Sequence, residues 1–133
     1  MEKVNNKFQT LEYNSSKNLL TQTWKKESKK LDFNGFKKEM GELINSINAD
    51  KPKKVLIDMQ NFFFVVGLEE QTWVNTNVNS LLAEMEDSKT AYIMSPDLFA
   101  AVSVEQTLDE SEGKKMGSMF FKDANEAEKW LFE

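Results

Sequence analysis

The side chains best suited to chemistry are carboxylates and amides in a helix predicted from Ser95 to about Gly113. Glu105 falls within the apolar stripe of that helix, and Asp109 lies one turn further along the same side. With Gln106, the two could line a cleft, where mutual repulsion and desolvation would raise their proton affinity. The alternative is that the stripe leaves the core near residue 105, so that both carboxylates are solvated.

Three more candidates lie near the end of a predicted central strand. Asp58 stands near the carboxyl end of that strand, where open α/β sheets bind ligands, but it could equally accept backbone N–H bonds in a turn. Gln71 is either a ligand donor or a solvated side chain. Trp73 is either a residue at the core boundary or an exposed aromatic anchor at an interface. The run 62–64, all Phe, is expected in the core, and any exposed part would form a dimer or lipid-facing patch.

The composition narrows the chemistry. The 133 residues include no Cys, no His and no Arg, which removes thiolate nucleophiles, the commonest general base and the commonest metal ligands. We therefore predict no catalytic site, metal or cofactor. The net charge of −5 is split, with +5 over residues 1–54 and −10 over residues 55–133. An acidic chain without Arg is a poor candidate for nucleic-acid binding.

The elements that would position these residues follow from hydrophobic periodicity. Alternation predicts strands at 8–13 and 19–24, and short apolar runs predict strands at 54–59, 90–94 and 119–121. Apolar stripes predict helices at about 36–47 and 69–86, one starting at Ser95, and one opening at Asp123. Asp32 or Asn34 can cap the first helix. This order predicts one α/β domain over 1–133, with a mixed sheet of about five strands and about four helices. The N-terminal hairpin is antiparallel and the later strands are parallel.

Four segments, at 55–58, 70–73, 103–110 and 120–123, follow one another in a characteristic order, together with Ala127, Trp130 and Leu131. This ordered set resembles the STAS domain, and more closely its SpoIIAA-like branch, which is grouped with CRAL-TRIO lipid-transfer domains. The resemblance covers about residues 8–132. It implies a regulatory switch phosphorylated on a Ser or Thr at the start of the helix after the central strand. Residues 63–70 contain neither, so this switch is not expected here.

Three functions are compatible with the sequence. The preferred hypothesis is a non-catalytic regulatory or protein-interaction module of the STAS type, with a homodimer as one form of it. The second is a carrier of a small apolar or lipid-like ligand, in a cavity lined by Trp73, Phe99 and residues 62–64. The third is a carboxylate-dependent enzyme using Asp58, Glu105 and Asp109. The longest apolar run, 62–68, is too short to span a bilayer, and the first six residues lack a signal-peptide core, so a cytoplasmic protein is expected.

Overall fold

The structure is a computed structural model that describes residues 2–64, 67–85, 88–96 and 118–133. Its strands are β1 (Glu2–Asn5), β2 (Gln9–Asn14), β3 (Leu19–Trp24), β4 (Lys54–Met59), β5 (Lys89–Met94) and β6 (Ser118–Phe121). Its helices are a 3-10 helix (Lys26–Lys30), α1 (Phe33–Asp50), α2 (Leu68–Val74), a π-helical turn (Asn75–Asn79), α3 (Ser80–Ala83) and α4 (Ala124–Leu131). Of the helix predicted at Ser95–Gly113, residues 97–113 lie outside the described residues.

The six strands form one mixed sheet whose spatial order follows the chain, from β1 at one edge to β6 at the other. β1, β2 and β3 pair antiparallel, whereas the pairs from β3 to β6 are parallel. The predicted α/β class, with an antiparallel start and parallel later strands, is confirmed. The prediction of about five strands missed β1. This strand has no apolar alternation, because it lies at the edge, pairs only with β2 and leaves its terminal residues exposed.

Helices cover both faces of the sheet, which explains why β4 is almost continuously apolar. Val55 and Ile57 belong to the larger core, under α1 and the α2–α3 segment. Leu56 faces the smaller core, under α4. The larger core also contains Leu11, Leu20, Trp24, Phe36, Met40, Leu43, Ile47, Val78 and Leu82. Each such aliphatic or aromatic side chain stabilises the fold by about 1.5–3 kcal/mol when fully buried.

The termini of α1 follow from capping chemistry. Asp32 is the N-cap, and its carboxylate accepts a hydrogen bond from the backbone N–H of Gly35 at 2.7 Å, as predicted. The helix ends where Lys51 adopts a left-handed conformation with φ of 45° and donates its backbone N–H to the carbonyl of Ile47 at 2.8 Å. The predicted apolar stripe of α1 is confirmed, because Phe36, Met40, Leu43 and Ile47 are buried.

Two connecting segments differ from their predictions. Residues 26–30, where no helix or strand was predicted, form the 3-10 helix. The helix predicted at 69–86 begins at Leu68, and its middle is a π-helical turn, although Val78 and Leu82 still face the core. Among the described residues, no helix is long and apolar enough to cross a membrane.

Candidate functional site

A buried serine ties the connection after β4 to the 3-10 helix. The Ser28 side chain is fully buried. Its hydroxyl donates to the backbone carbonyl of Asn61 at 3.2 Å and accepts from the backbone N–H of Phe63 at 2.8 Å. A residue of the 3-10 helix therefore satisfies two backbone groups that the sheet leaves unpaired, and it fixes where Phe63 lies.

Behind this connection, five aromatic rings form one cluster around Phe36 in the first turn of α1. The Phe36 ring centroid lies 4.7 Å from Phe64, 6.2 Å from Phe62, 6.3 Å from Trp73 and 6.4 Å from Trp24. Phe62 also packs on Trp24 at 4.8 Å. Trp73 is half-buried at the margin of this cluster, which agrees with the prediction of a core-boundary residue.

Two apolar side chains beside the cluster point to solvent. The most exposed large apolar residues that the structure describes are Leu68 at 81%, Phe63 at 47% and Phe132 at 46%. Phe62 and Phe64 belong to the core, as predicted for the 62–64 run, whereas Phe63 is its exposed part. We call Phe63 and Leu68, with the half-buried rings of Phe64 and Trp73 that pack on Phe36, the edge surface.

The two ends of the edge surface carry opposite charges. On the Phe63 side, the 3-10 helix presents Lys26, Lys29 and Lys30, and Lys30 forms an ion pair with Glu27 at 2.9 Å. The hydrogen bond and charge of Lys30 lower the pKa of Glu27. The charges of Lys29 and Lys7 lower it further, which places these lysines in one basic group.

On the Leu68 side, α2 opens with two glutamates. The carboxylate of Glu70 folds back and accepts the backbone N–H of Gly67, the N-cap, at 2.9 Å. A Cβ at position 67 would lie 2.7 Å from the Glu70 Oε2 atom, so any other residue there would require the Glu70 carboxylate to shift. Glu69 is exposed. A negative charge at a helix N-terminus is stabilised by the helix dipole, and it disfavours binding of a phosphate there.

Asp58 takes a structural role at the end of β4. Its carboxylate accepts the backbone N–H of Gln60 at 3.0 Å, as in an Asx turn. Since side chains alternate along a strand, Asp58 shares the α4 face with Leu56, opposite the face of Ile57 and the aromatic cluster. The structure therefore does not bring Asp58 together with Trp73.

The remaining predicted candidates are only partly described. Gln71 is exposed on α2, three residues after Leu68. Glu105, Gln106 and Asp109 lie outside the described residues, as does Phe99, so the enzyme and carrier hypotheses stay predictions. In the described part of the chain, no three Asp or Glu side chains are grouped to hold a metal ion.

Two hollows on the described surface lie away from the edge surface. One, of about 350 Å³, lies between the ends of α1 and α3 and is lined by Ile47, Asn48, Lys51, Pro52, Lys53, Leu81, Glu84 and Met85. The other, of about 660 Å³, is lined by residues of β2 and β3 together with Asp50. Neither includes Trp73 or residues 62–64; the rings of Phe62, Phe64 and Trp73 pack on Phe36 instead.

The sequence reasoning missed Ser28, Leu68 and the exposure of Phe63. Leu68 carried only a weak signal, because at about 100° per residue it lies about 120° from Val74 but only about 40° from Leu82, at the margin of the apolar stripe. Ser28 carried only a weak one, as the single short hydroxyl side chain among the lysines of 25–30.

No protein-family model matches the chain, and searches of curated proteins and of solved structures also find no match. The geometry of the edge surface is therefore the ground for a functional proposal.

Proposed function

We propose that the chain is a non-catalytic regulatory or protein-interaction module resembling STAS domains, and that it contacts its partner through the edge surface. The observation that carries the proposal is an exposed aromatic side chain on a fixed backbone. Phe63 is 47% exposed, yet its N–H is held at 2.8 Å by a fully buried serine.

An exposed aromatic ring stabilises the protein less than a buried one. Burying a whole Phe side chain contributes about 1.5–3 kcal/mol, so the half that remains exposed on Phe63 leaves roughly 1 kcal/mol for a partner to gain. Leu68 offers a further exposed apolar side chain at the start of α2, directly before Glu69. Aromatic residues are enriched at protein interfaces, and a few of them carry most of the binding free energy.

The fixed backbone lowers the cost of binding. A loop that must be ordered on association loses conformational entropy, at about 0.5–1.5 kcal/mol for each immobilised flexible side chain. Ser28 and the aromatic cluster around Phe36 already hold the residues on either side of Phe63. This surface is thus preorganised for association.

The helix start supports an interaction that does not depend on a phosphate. Gly67 is the N-cap of α2, and the Glu70 carboxylate already accepts the backbone N–H of Gly67. The first hydroxyl residue of this region, Thr72, donates to the backbone carbonyl of Leu68 at 2.9 Å within the helix. The family's phosphorylation switch is therefore not part of the proposal.

The test compares two matched exposed phenylalanines, Phe63 and Phe132, which are 47% and 46% exposed. An affinity-tagged chain and its Phe63→Ser and Phe132→Ser variants are expressed in cells that produce the protein, and co-purified proteins are quantified by mass spectrometry. We expect Phe63→Ser to reduce recovery of the specific partner by about tenfold, as for an interface hot spot, and Phe132→Ser to retain it. Equal recovery with all three chains would refute the proposal.

A further inference from the structure

We propose that the partner of the edge surface is a second copy of the same chain, related to the first by a two-fold axis. This inference rests on the function proposed above and names its partner. It is carried by the arrangement of charge on either side of the two exposed apolar side chains, Phe63 and Leu68.

The basic side is built from residues that follow β3. Ser28 is the buried member of the 3-10 helix, while Lys26, Lys29 and Lys30 are exposed around it. Because the Ser28 hydroxyl is 2.8 Å from the Phe63 backbone nitrogen, these lysines border the Phe63 side of the surface.

The acidic side is built from the first turn of α2. Leu68, the most exposed apolar side chain described, is followed directly by Glu69 and Glu70. Glu70 is engaged with Gly67, which holds its charge at the helix start, and Glu69 is exposed. Phe63 thus adjoins a cationic border, and Leu68 adjoins an anionic one.

A surface with this order is complementary to itself. In a two-fold interface the same patch meets its copy, so the lysine border of one copy faces the glutamate border of the other. Phe63 and Leu68 then pack near the axis, and both charged borders are matched. An anionic membrane or a nucleic acid would match the lysines only and would be repelled by Glu69 and Glu70.

The dimer is expected to be weak and dependent on concentration, because few apolar side chains are available at its centre. Sedimentation velocity of the wild-type chain over a range of concentrations measures its dissociation constant. Phe63→Ser should raise that constant about tenfold or more, whereas the matched Phe132→Ser should not change it. Circular-dichroism melting confirms that each variant is folded.

Variants that reverse the charge of one border provide the decisive test of the dimer. We expect the double variant Lys26→Glu with Lys29→Glu to self-associate at least about threefold more weakly than wild type. The variant Glu69→Lys should show the same weakening. Glu70 is left intact because it caps α2. Mixed in equal amounts, the two variants should form a heterodimer more tightly than either associates with itself, since both borders are then matched again.

The inference is overturned if the wild-type chain is monomeric at every concentration, or if the mixture associates no better than the separate variants. A monomeric wild-type chain whose Phe63→Ser variant still loses a cellular partner would reject the second copy and leave the proposed function standing. If the Phe63→Ser variant retains every partner in that experiment, the proposed function itself is rejected.

Discussion

The Ser28 hydroxyl lies 2.8 Å from the backbone nitrogen of Phe63, so a fully buried side chain fixes the backbone of an exposed aromatic residue. The same hydroxyl also donates to the Asn61 carbonyl at 3.2 Å. Core and surface are thereby joined through one oxygen atom. A substitution of the buried Ser28 should consequently alter the edge surface.

Ser28→Ala removes that oxygen with little change in volume. It leaves a part-buried N–H and carbonyl without their partner, so we expect the free energy of unfolding to fall by about 1–3 kcal/mol. Urea unfolding measures this loss. Ser16→Ala, at an exposed hydroxyl bonded to Asn14, is the control and should change stability by less than about 0.5 kcal/mol. Partner binding should weaken with Ser28→Ala although Phe63 is intact; unchanged binding and stability would contradict the fixing role.

Phe36 is the centre of the aromatic cluster. Its ring packs on four others, and it is 3% exposed, so Phe36→Ala should cost about 3–5 kcal/mol by loss of burial and creation of a cavity. Chemical denaturation measures this cost, with the half-exposed Phe132→Ala as control. A cost below about 1 kcal/mol for Phe36→Ala would mean that the rings do not pack as described.

A buried polar chain joins α1 to the N-terminal strands. Gln22 donates to Gln9 at 2.7 Å, Gln9 donates to the Glu39 carboxylate at 3.0 Å and to its carbonyl at 2.9 Å, and Asn6 donates to the same carboxylate at 2.7 Å. The Oε1 atom of the Gln22 amide is buried and finds no donor among the described residues.

This difference between Gln9 and Gln22 predicts different losses of unfolding free energy when each is replaced by Leu. Gln9→Leu removes one of the two donors to the buried Glu39 carboxylate, the bond to the Glu39 carbonyl and the acceptor of the Gln22 amide. It should cost about 2–4 kcal/mol, since buried polar groups that lose their partners are expensive. Gln22→Leu removes one hydrogen bond together with an atom that lacks one, and should cost less than about 1 kcal/mol. Urea midpoints of the two variants provide the comparison. Equal costs, or a reversed order, would show that the chain is not organised around Glu39.

Tyr92 should make stability depend on alkaline pH. Burial raises its pKa from 10.0 to about 12, because the phenolate would lose hydration. The pKa is higher in the folded state, so its contribution is complete below pH 10 and is lost as the pH rises towards 12. The loss amounts to at most about 3 kcal/mol.

The measurement is the difference in unfolding free energy between wild type and Tyr92→Phe from pH 9 to 12, in which the lysine titrations largely cancel. The chain has two tyrosines, so absorbance titration of Tyr13→Phe reports Tyr92 alone. A Tyr92 that ionises near pH 10 would contradict its burial.

Hydrophobic periodicity predicted most of the fold, because each helix or strand that packs in a core repeats its apolar residues with the period of that type of element. Phe36, Met40, Leu43 and Ile47 face one core, and Asp32 caps their helix, as their spacing and types indicate. β1 and the 3-10 helix escaped prediction, since neither has an apolar face and both depend on tertiary hydrogen bonds.

The edge surface was harder to predict for a related reason. Three consecutive phenylalanines have no period, so the sequence could not tell which of Phe62, Phe63 and Phe64 is exposed. The answer depends on Ser28, which lies 35 residues away in the chain, and on the ring packing around Phe36. Trp73 lies at the core boundary, one of the two positions considered for it, whereas Asp58 belongs to the opposite face of the sheet from the aromatic cluster.

The most direct test of the interaction surface is photo-crosslinking from within it. Benzoylphenylalanine is introduced at Phe63 and, in a separate chain, at the equally exposed Phe132. Illuminated cells should then yield a discrete covalent adduct from position 63 and none from position 132; an adduct of twice the chain's mass would identify a second copy, and any other mass a different partner. Absence of an adduct at position 63, or the same adducts from both positions, would contradict the claim that Phe63 meets a protein partner.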